Sequence, residues 1–402
     1  MNRRVFMAVA AAGAAGFAQD VPDAIRKLRP MLDGVVPISD AERRARIDKA
    51  QRLMGENKLG AIVLEGGTSL YYFTGTRWNQ GERISAMVLP AKGDLVWIAQ
   101  GSDAKTARMG GDVRVASSDE DAYKKIGLAL KGAARVGVEE RVRFGVFDGI
   151  RKEAPGVEFS SADAVTAGCR MIKSAAEIAL LQRANDITIE AYRAAFTTMR
   201  EGMSNHELSA NIQAAFSALG ARGGAMAIFG KYTAFPHGSI APQSLRSGDL
   251  VLIDDGVAVE GYQSDITRTV IFGKPTDRQR YVWDLERKAQ DAALKAAQPG
   301  ATCESVDKAA RDVITKGGFG PGYKTPGLPH RTGHGIGLDG HEWTNFVKGN
   351  KTKIQPGMCF SDEPTIAIYG EFGVRLEDCL YVTESGPRMF TKQSPAIDQP
   401  FG

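Results

Sequence analysis

The stretch VLIDDGVAVEGYQSDITRTVIF, residues 251–272, carries the pattern that decides the fold of the C-terminal half. An apolar run leads into two acidic residues, and a two-residue turn at 260–261 separates it from a return strand. With that turn, Asp265 lies opposite Gly256. Because strand side chains alternate, Asp254 is then a diagonal neighbour of Asp265 on the same face. The stretch therefore predicts a hairpin that holds two carboxylates close together.

A second hairpin repeats this arrangement further along the chain. We expect Glu363 to begin a strand that turns at Gly370, and a return strand to carry Glu377. A three-residue loop centred on Gly370 sets Glu363 opposite Glu377, and Arg375 points to the same side because it lies two residues away. His334 supplies an imidazole nitrogen. The pattern therefore predicts that four carboxylates and one histidine meet.

Four carboxylates and one imidazole are a suitable ligand set for two divalent metal ions. Close carboxylates raise one another's pKa, so the cluster is unfavourable unless cations balance its charge. Catalytic two-metal sites hold their ions about 3.5–4 Å apart. Oxygen ligands with one imidazole favour manganese and permit cobalt, zinc or iron. Asp255, beside Asp254, is interpreted as a polar strand end, with a ligand role as the alternative.

Composition excludes several classes of protein. The 402-residue chain is 43% hydrophobic and 24% charged, as globular proteins are, and a formal net charge of +4 is too small for a nucleic-acid-binding surface. Residues 335–340 match a glycine-rich dinucleotide motif but do not follow a strand and open a helix, so we expect no nucleotide site there. His206 is expected on a solvated helix face. The cysteines lack the spacing of a zinc or redox pair and are expected to be buried free thiols: Cys169, Cys303, Cys359 and Cys379.

Residues 1–18 have the features of a secretory signal peptide. Arg3 and Arg4 precede an apolar run of about a dozen residues, and membrane-spanning helices need about 20. The arginine pair also resembles a twin-arginine signal, with the general secretory route as the alternative. We therefore expect an exported protein, periplasmic or secreted, with no integral membrane segment.

The chain divides into two predicted domains after a linker at residues 19–37. Helices alternate with short buried strands in residues 38–168, which predicts an α/β domain. Residues 169–402 combine long helices with strand pairs, which predicts an α+β domain. Ser174, Ser204 and Thr276 each begin a capping-box spacing that starts a helix in this second domain.

These motifs together resemble the pita-bread metallopeptidases, in particular the Xaa-Pro aminopeptidase and prolidase family. The first domain is similar to the creatinase-type N-terminal domain of that group at residues 71–75 and 82–83. The resemblance thus covers both domains, and it implies an α/β N-terminal domain followed by an α+β pita-bread catalytic domain. In the second domain it is carried by residues 252–256, 262–269, 333–338, 341–342, 363–364 and 373–378.

The resemblance implies roles for individual residues. Asp265 and Glu377 would bridge two divalent metal ions, and a hydroxide held between the ions would attack the scissile carbonyl. His341 and one metal ion would stabilise the oxyanion, and Glu363 would carry a proton to the leaving amine. The implied metal ligands are Asp254, Asp265, His334, Glu363 and Glu377. The further implied active-site residues are His237, which would contact the substrate, His330, His341 and Arg375.

The function that follows is an exported exopeptidase that hydrolyses the Xaa-Pro bond of a peptide with proline at its second position. It would be of the aminopeptidase P or the prolidase type. Two alternatives are a metal-dependent hydrolase or lyase of another kind on the same scaffold, and a non-catalytic peptide-binding module. The chain departs from the usual Glu-Pro-Gly-x-Tyr motif of the family, because it has Thr365 and Ala367.

The resemblance also implies a homodimer or a dimer-based oligomer. In this family a loop of one subunit's N-terminal domain lines the substrate site of the other. Trp78 or Arg83 is the expected contributor here.

Overall fold

The computed structural model describes residues 21–101 and 103–401, so the expected signal peptide at 1–18 lies outside the described residues. The described chain begins with a short helix, α1 (Asp23–Arg26). The N-terminal domain that follows contains helices α2 (Asp40–Glu56), α3 (Thr68–Thr74), α4 (Asp119–Ala129), α5 (Phe144–Glu153) and α6 (Asp163–Arg170), and a 3-10 helix at Asp103–Thr106. Its strands are β1 (Ala61–Glu65), β2 (Ser85–Pro90), β3 (Val96–Gln100), β4 (Asp112–Ala116), β5 (Arg135–Val138) and β6 (Glu158–Ser161).

The six strands form one mixed sheet in the order β4-β3-β2-β1-β5-β6. All five residues of β1 are buried, since the strand lies inside the sheet with structure covering both faces. The expected hairpin is present, with β2 and β3 antiparallel and Met87 opposite Trp97. These features confirm the α/β prediction for this domain.

The segment expected to act as a linker packs against the C-terminal domain in its described part. Ile25 is 1% exposed. The backbone N–H of Met31 donates to the carbonyl of Leu219 at 2.9 Å. Burial of Ile25 and the backbone hydrogen bond of Met31 therefore fix residues that the sequence alone predicted to be a linker.

The C-terminal domain combines four long helices with three sheets, as the α+β prediction requires. The helices are α7 (Ala175–Phe196), α8 (Asn205–Ala218), α9 (Asp277–Ala296) and α10 (Cys303–Lys316), with a 3-10 helix at Gly230–Ala234. The strands are β7 (Arg222–Phe229), β8 (Leu250–Val259), β9 (Tyr262–Gln263), β10 (Arg268–Ile271), β11 (Gly333–Gly335), β12 (Glu342–Phe346), β13 (Cys359–Asp362), β14 (Thr365–Ile368), β15 (Phe372–Arg375), β16 (Asp378–Thr383) and β17 (Gly386–Met389). Two of the three expected capping boxes are formed, at Ser174 and at Thr276, whereas at Ser204 only the side chain's acceptance from the N–H of Glu207 is present.

Strands β7, β8 and β10 form one sheet, to which β9 adds, and β12-β11-β13-β16-β17 form a second. The pair β14 and β15 forms a small sheet of its own. The four cysteines are buried and free, and His206 is exposed, as expected. The glycine-rich stretch at 335–340 begins at the end of β11, so the expectation that it does not follow a strand is wrong, but it opens no helix.

The first site hairpin has the predicted register. Val259 pairs with Tyr262, so the turn consists of Glu260 and Gly261, whose φ angles of 51° and 91° belong to a type I′ turn. The prediction of one continuous return strand is wrong, because residues 264–267 separate β9 from β10. The pairing resumes in the same register beyond this break. Asp265 therefore lies in the break.

The second hairpin also has the predicted register, but its strands are broken. Ile368 pairs with Phe372 across the three-residue loop, and Asp362 pairs with Asp378 in the same register. The prediction that Glu363 begins a strand is wrong, because it lies between β13 and β14. Its backbone N–H donates to the carbonyl of Thr332 at 2.8 Å instead of pairing within the hairpin.

The N-terminal domain forms hydrogen bonds with the first hairpin, at its turn and behind it. The Tyr71 hydroxyl donates to the carbonyl of Glu260 at 3.0 Å. Behind the turn, the Tyr262 hydroxyl donates to Oε1 of Glu177 at 2.9 Å and accepts from Arg46 at 3.2 Å. The Arg46 guanidinium also donates to the carbonyl of Tyr72 at 2.9 Å. These buried polar contacts hold the hairpin against both domains.

In the part of the chain that the structure describes, no helix combines the length and the apolar character needed to cross a bilayer.

We expect Tyr262→Phe to lower the free energy of unfolding by about 1–3 kcal/mol, because the buried Glu177 carboxylate would lose a donor. Urea-induced unfolding followed by circular dichroism measures this change. Tyr281→Phe is the matched control, because its hydroxyl also donates to a carbonyl, that of Gly317 at 2.9 Å, but the side chain is 52% exposed. The control should change stability by less than about 0.5 kcal/mol. Equal losses of stability in the two variants would contradict the conclusion that the buried hydrogen bonds of Tyr262 hold the hairpin in place.

Candidate metal centre

Five predicted residues converge where the two broken hairpins meet β11. Their ligand atoms, with one atom of His341, form three groups whose members all lie within 4.8 Å of one another. Asp265, His334 and Glu377 each belong to two of these groups, so they occupy the middle of the cluster. The groups are Asp254, Asp265 and Glu377; His334, Glu363 and Glu377; and Asp265, His334 and His341.

The ring of His334 is oriented by the backbone. Its Nδ1 lies 3.1 Å from the carbonyl of Gly335, which only accepts, so Nδ1 carries the proton. The lone pair of Nε2 then faces the carboxylates, at 3.3 Å from Glu363, 3.6 Å from Asp265 and 3.9 Å from Glu377. Burial lowers the pKa of His334 well below its usual value, and the positive charges of His341 and Arg331 lower it further. A neutral imidazole therefore presents an electron pair to three carboxylate groups.

Arg375 and Thr267 fix two of the carboxylates, Asp254 and Glu377, by hydrogen bonds. Arg375 donates to Asp254 through Nη2, to the carbonyl of Pro236 through Nη1 at 3.1 Å, and to Thr267 through Nε at 3.1 Å. The Thr267 hydroxyl lies 2.6 Å from Oδ1 of Asp254 and 2.7 Å from Oε2 of Glu377. The hydroxyl has one proton for two acceptors, so the metal-free cluster shares protons.

The carboxylates repel one another in a buried site. Burial raises the pKa of Asp265 well above its usual value, and the charge of Asp254 raises it further. Burial likewise raises the pKa of Glu377, with Asp265 adding to the effect. Burial raises the pKa of Glu363 to about 7, against the lowering influence of Arg375. The cluster thus holds protons at neutral pH unless other cations replace them.

These residues fit divalent metal ions. Oε1 of Glu377 is buried and has no hydrogen-bond partner in the described chain. A buried carboxylate oxygen without a donor is unfavourable, and a metal ion would satisfy it. Carboxylate oxygens with one neutral imidazole are suitable ligands for manganese and for related ions.

The remaining predicted histidines surround this cluster. The His341 ring lies edge-on to His334 with 4.2 Å between centroids. Burial lowers the pKa of His341, and the charge of Arg331 lowers it further. His330 is held by protein groups at both nitrogens, with the Arg331 carbonyl 2.7 Å from Nδ1 and the Thr365 hydroxyl 3.0 Å from Nε2.

His237 is exposed and lines a surface cavity with Met226, Ile228 and Ile240. Burial lowers the pKa of His341, and His237 is among the neighbours that lower it further.

Three residues considered from the sequence lie outside the ligand cluster. Trp78 is 4% exposed, and its indole N–H donates to Thr106 inside the N-terminal domain, so packing places it away from the site. Arg83 lies on the exposed surface of the same domain. Asp255 is exposed and joins none of the ligand groups, although its φ of 107° shows a strained backbone next to Asp254.

Two residues of the site were missed by the sequence reasoning. Thr267 lies inside the Asp265-Ile-Thr-Arg-Thr motif, two residues after a predicted ligand, where strand alternation returns it to the same face. Arg331 lies between His330 and His334. Its position in that motif was a signal, but the sequence alone cannot show that its charge acts on both histidines.

Comparisons with known proteins agree with this geometry. Residues 179–384 match the model of metallopeptidase family M24, and residues 46–172 match the creatinase/prolidase N-terminal domain. The chain is 31% identical over 367 residues to the Xaa-Pro dipeptidase of Lactobacillus delbrueckii subsp. lactis, covering 87% of this chain and 98% of that protein. It is 29% identical over 353 residues to the Xaa-Pro dipeptidase of Pyrococcus horikoshii, covering 86% of this chain and 97% of that protein.

Solved structures agree as well. Dipeptidase PepE from Mycobacterium ulcerans matches with a TM-score of 0.84 at 30% identity, and the match covers 91% of this chain and 100% of that chain. Prolidase from Thermococcus sibiricus matches with a TM-score of 0.80 at 29% identity, and the match covers 87% of this chain and 96% of that chain. These matches confirm the creatinase-type N-terminal domain and the pita-bread catalytic domain. The chain therefore belongs to metallopeptidase family M24.

Proposed function

We propose that this protein is an Xaa-Pro dipeptidase that depends on two divalent metal ions. The observation that carries the proposal is the convergence of Asp265, Glu363 and Glu377 on the Nε2 lone pair of His334, with Asp254 beside Asp265 and Glu377. The relatives named Xaa-Pro dipeptidase support the substrate class, because the chain matches them over nearly their whole length.

Five residues would hold the metal ions. Glu377 and Asp265 each lie within reach of ligands on both sides of the cluster, which supports a bridging role for both. His334 and Glu363 share a ligand group with Glu377, and Asp254 shares the group on the other side. Bound divalent ions would supply Lewis acidity and lower the pKa of water so that it is a nucleophile at neutral pH.

The chain's own residues would orient the substrate and move protons. Glu363, with its pKa raised to about 7 by burial, is suited to accept a proton and pass it to the leaving amine near neutral pH. Neutral His341, at the open side of His334, would donate a hydrogen bond to the developing oxyanion. Arg375 would hold Asp254 in place through its hydrogen bond.

Several finer predictions from the sequence belong to the same proposal. Manganese is the proposed metal, and a homodimer is the proposed assembly. Export is proposed from the arginine pair and apolar run within residues 1–18.

The proposal predicts manganese-dependent hydrolysis of Ala-Pro by the protein without residues 1–18. Ala-Ala should be cleaved much more slowly, because it lacks the proline ring, and Ala-Pro-Ala tests whether longer peptides are accepted. Release of alanine, measured by chromatography, follows each reaction, and a sample treated with chelator is the control. No cleavage of any Xaa-Pro peptide by metal-loaded protein would overturn the proposal.

Glu363→Gln should lower kcat on Ala-Pro by about 100- to 10,000-fold, because the proton shuttle and one ligand charge are lost. Glu371→Gln is the matched control, because Glu371 lies at the turn of the same hairpin but is exposed and paired with Arg278. Steady-state kinetics compares both variants with the parent. Parental kcat in Glu363→Gln would show that the assigned role is wrong.

Metal binding should stabilise the protein more at about pH 8 than at about pH 5.5. Because the folded-state pKa of Glu363 is raised to about 7, its contribution to metal-free stability is present at low pH and is lost as the pH rises through about 7. Metal ions then replace protons and restore that stability. Thermal unfolding with and without manganese at each pH measures the difference. Glu377→Gln should lose most of the manganese response, whereas an equal response at both pH values would contradict the account.

A further inference from the structure

His341 reaches the candidate metal centre from the connection between β11 and β12, residues 336–341. Its ring is edge-on to that of His334, with 4.2 Å between the centroids. One of its nitrogens lies within 4.8 Å of ligand atoms of Asp265 and His334. The place of the imidazole at the cluster therefore depends on what holds this connection.

Two carboxylates fix the connection on either side of His341. Asp339 lies two residues before it, and Glu342 follows it directly. The backbone N–H of Asp339 donates to Oε1 of Glu342 at 3.1 Å, and Glu342 pairs with Gly335 of β11. A Cβ atom on Gly337 would lie only 2.6 Å from Oε2 of Glu342. The Glu342 carboxylate therefore packs directly against the backbone of the connection.

Arg170, the last residue of α6 in the N-terminal domain, pairs with both carboxylates. Its Nη2 donates to Oδ2 of Asp339 at 2.6 Å and to Oε1 of Glu342, and its side chain is only 10% exposed. Its Nη1 donates to the Ser69 hydroxyl at 3.2 Å, within the N-terminal domain. Burial alone would raise the pKa of Glu342, but the charges of Arg170 and Lys173 lower it to about 2. One guanidinium thus ties the connection to the N-terminal domain.

The other cations near these carboxylates each contact one of them. Arg141 lies 3.2 Å from Oδ1 of Asp339, and Lys173 donates to Oε2 of Glu342 at 3.0 Å. Within residues 21–101 and 103–401, Arg170 is the one cation that pairs with both. Without Arg170 each carboxylate keeps a partner, but the bridge between them is lost.

A small cavity lies between Arg170 and the imidazole. Its volume is about 20 Å³, and its lining includes Arg170, Glu342 and His341. A space of this size holds about one water molecule, so the guanidinium and the imidazole border the same closely packed region. A change of packing at Arg170 therefore reaches His341 without an intervening helix or strand.

We propose that Arg170 is a positioning residue for His341. Its ion pairs to Asp339 and Glu342 hold the connection that presents the imidazole beside His334, where His341 would donate a hydrogen bond to the oxyanion. This inference rests on the proposed dipeptidase function and deepens it, because it states what the N-terminal domain of the same chain contributes to the reaction. Arg170 acts through His341 and is not itself a catalytic residue.

Arg170→Gln should lower kcat for Ala-Pro by about 10- to 100-fold and change KM by less than about 3-fold, because a displaced oxyanion donor weakens binding of the transition state alone. Arg170→Lys keeps the charge but not the planar fork, so it should recover part of the loss. Steady-state kinetics of manganese-loaded protein measures both constants. Manganese content should match the parent, since Arg170 is not among the proposed ligands.

Arg143→Gln is the matched control. Arg143 also donates to a buried carboxylate, that of Glu65 at 2.8 Å, but both residues belong to the N-terminal domain and neither contacts the β11–β12 connection. Its kcat for Ala-Pro should stay within about 2-fold of the parent, as distant independent sites predict.

A double-mutant cycle with His341→Ala separates positioning from a general loss of structure. His341→Ala alone should lower kcat by about 100- to 1,000-fold, as loss of an oxyanion donor predicts. Because Arg170 acts through the imidazole, adding Arg170→Gln to His341→Ala should lower kcat by less than about 3-fold further. Glu342→Gln has the same shape as the parent side chain and should show the same non-additivity, which provides the test if Arg170→Gln does not fold.

Histidine NMR of the metal-free protein gives a second readout that does not depend on activity. The chain has five histidines, so their imidazole carbon signals are few, and the signal missing from His341→Ala identifies His341. In Arg170→Gln the His341 signal should shift or split, because the connection is no longer held in one position. The signal of His206, which is exposed on α8, should not change.

The outcomes are distinct. If the manganese-loaded parent does not cleave Ala-Pro, the proposed function fails, and the catalytic consequence of the positioning fails with it. If the parent cleaves Ala-Pro but Arg170→Gln lowers kcat by the same factor with and without His341, the proposed function stands and the positioning role is wrong. Loss of manganese from Arg170→Gln, or an unchanged His341 signal, also overturns that role.

Discussion

Mutual repulsion among buried carboxylates is the constraint on which the architecture of the catalytic domain depends. Asp254, Asp265, Glu363 and Glu377 lie together, and among the described residues Arg375 is the one guanidinium that pairs directly with a member of this set. The energy of such a cluster rises steeply with burial unless cations or protons balance it. The hairpins, the Thr267 hydroxyl and the oriented His334 ring keep these groups in place in spite of the repulsion.

The breaks in the strands allow the carboxylate side chains of the cluster to come together. Asp265, Glu363 and Glu377 all lie in gaps between strands, where the backbone leaves one ladder for another partner. The N–H of Glu377, for example, donates to the carbonyl of Thr267 at 3.1 Å and so joins the two hairpins. The N-terminal domain adds to this rigidity at the far end of the first hairpin, through Tyr71 and Tyr262. Positioning of the site therefore involves both domains.

The sequence predicts the register of both hairpins because register depends on local turn chemistry, and the turns at 260–261 and around Gly370 are short. It does not predict the strand breaks, because these depend on hydrogen bonds to Thr332 and Thr267 that come from distant parts of the chain. The sequence also does not predict that Trp78, the expected contributor to a substrate site, is packed in the core of the N-terminal domain. The hydrogen bonds of Arg375 to Thr267, Pro236 and Asp254 likewise become visible only once every neighbour is placed.

The central claim is that the carboxylate cluster is a dinuclear metal site. Anomalous X-ray diffraction from crystals grown with manganese tests it most directly. The account predicts two anomalous peaks per chain, about 3.5–4 Å apart, surrounded by Asp254, Asp265, His334, Glu363 and Glu377. The absence of any peak among these five residues at saturating manganese, or a single ion bound elsewhere, would contradict it.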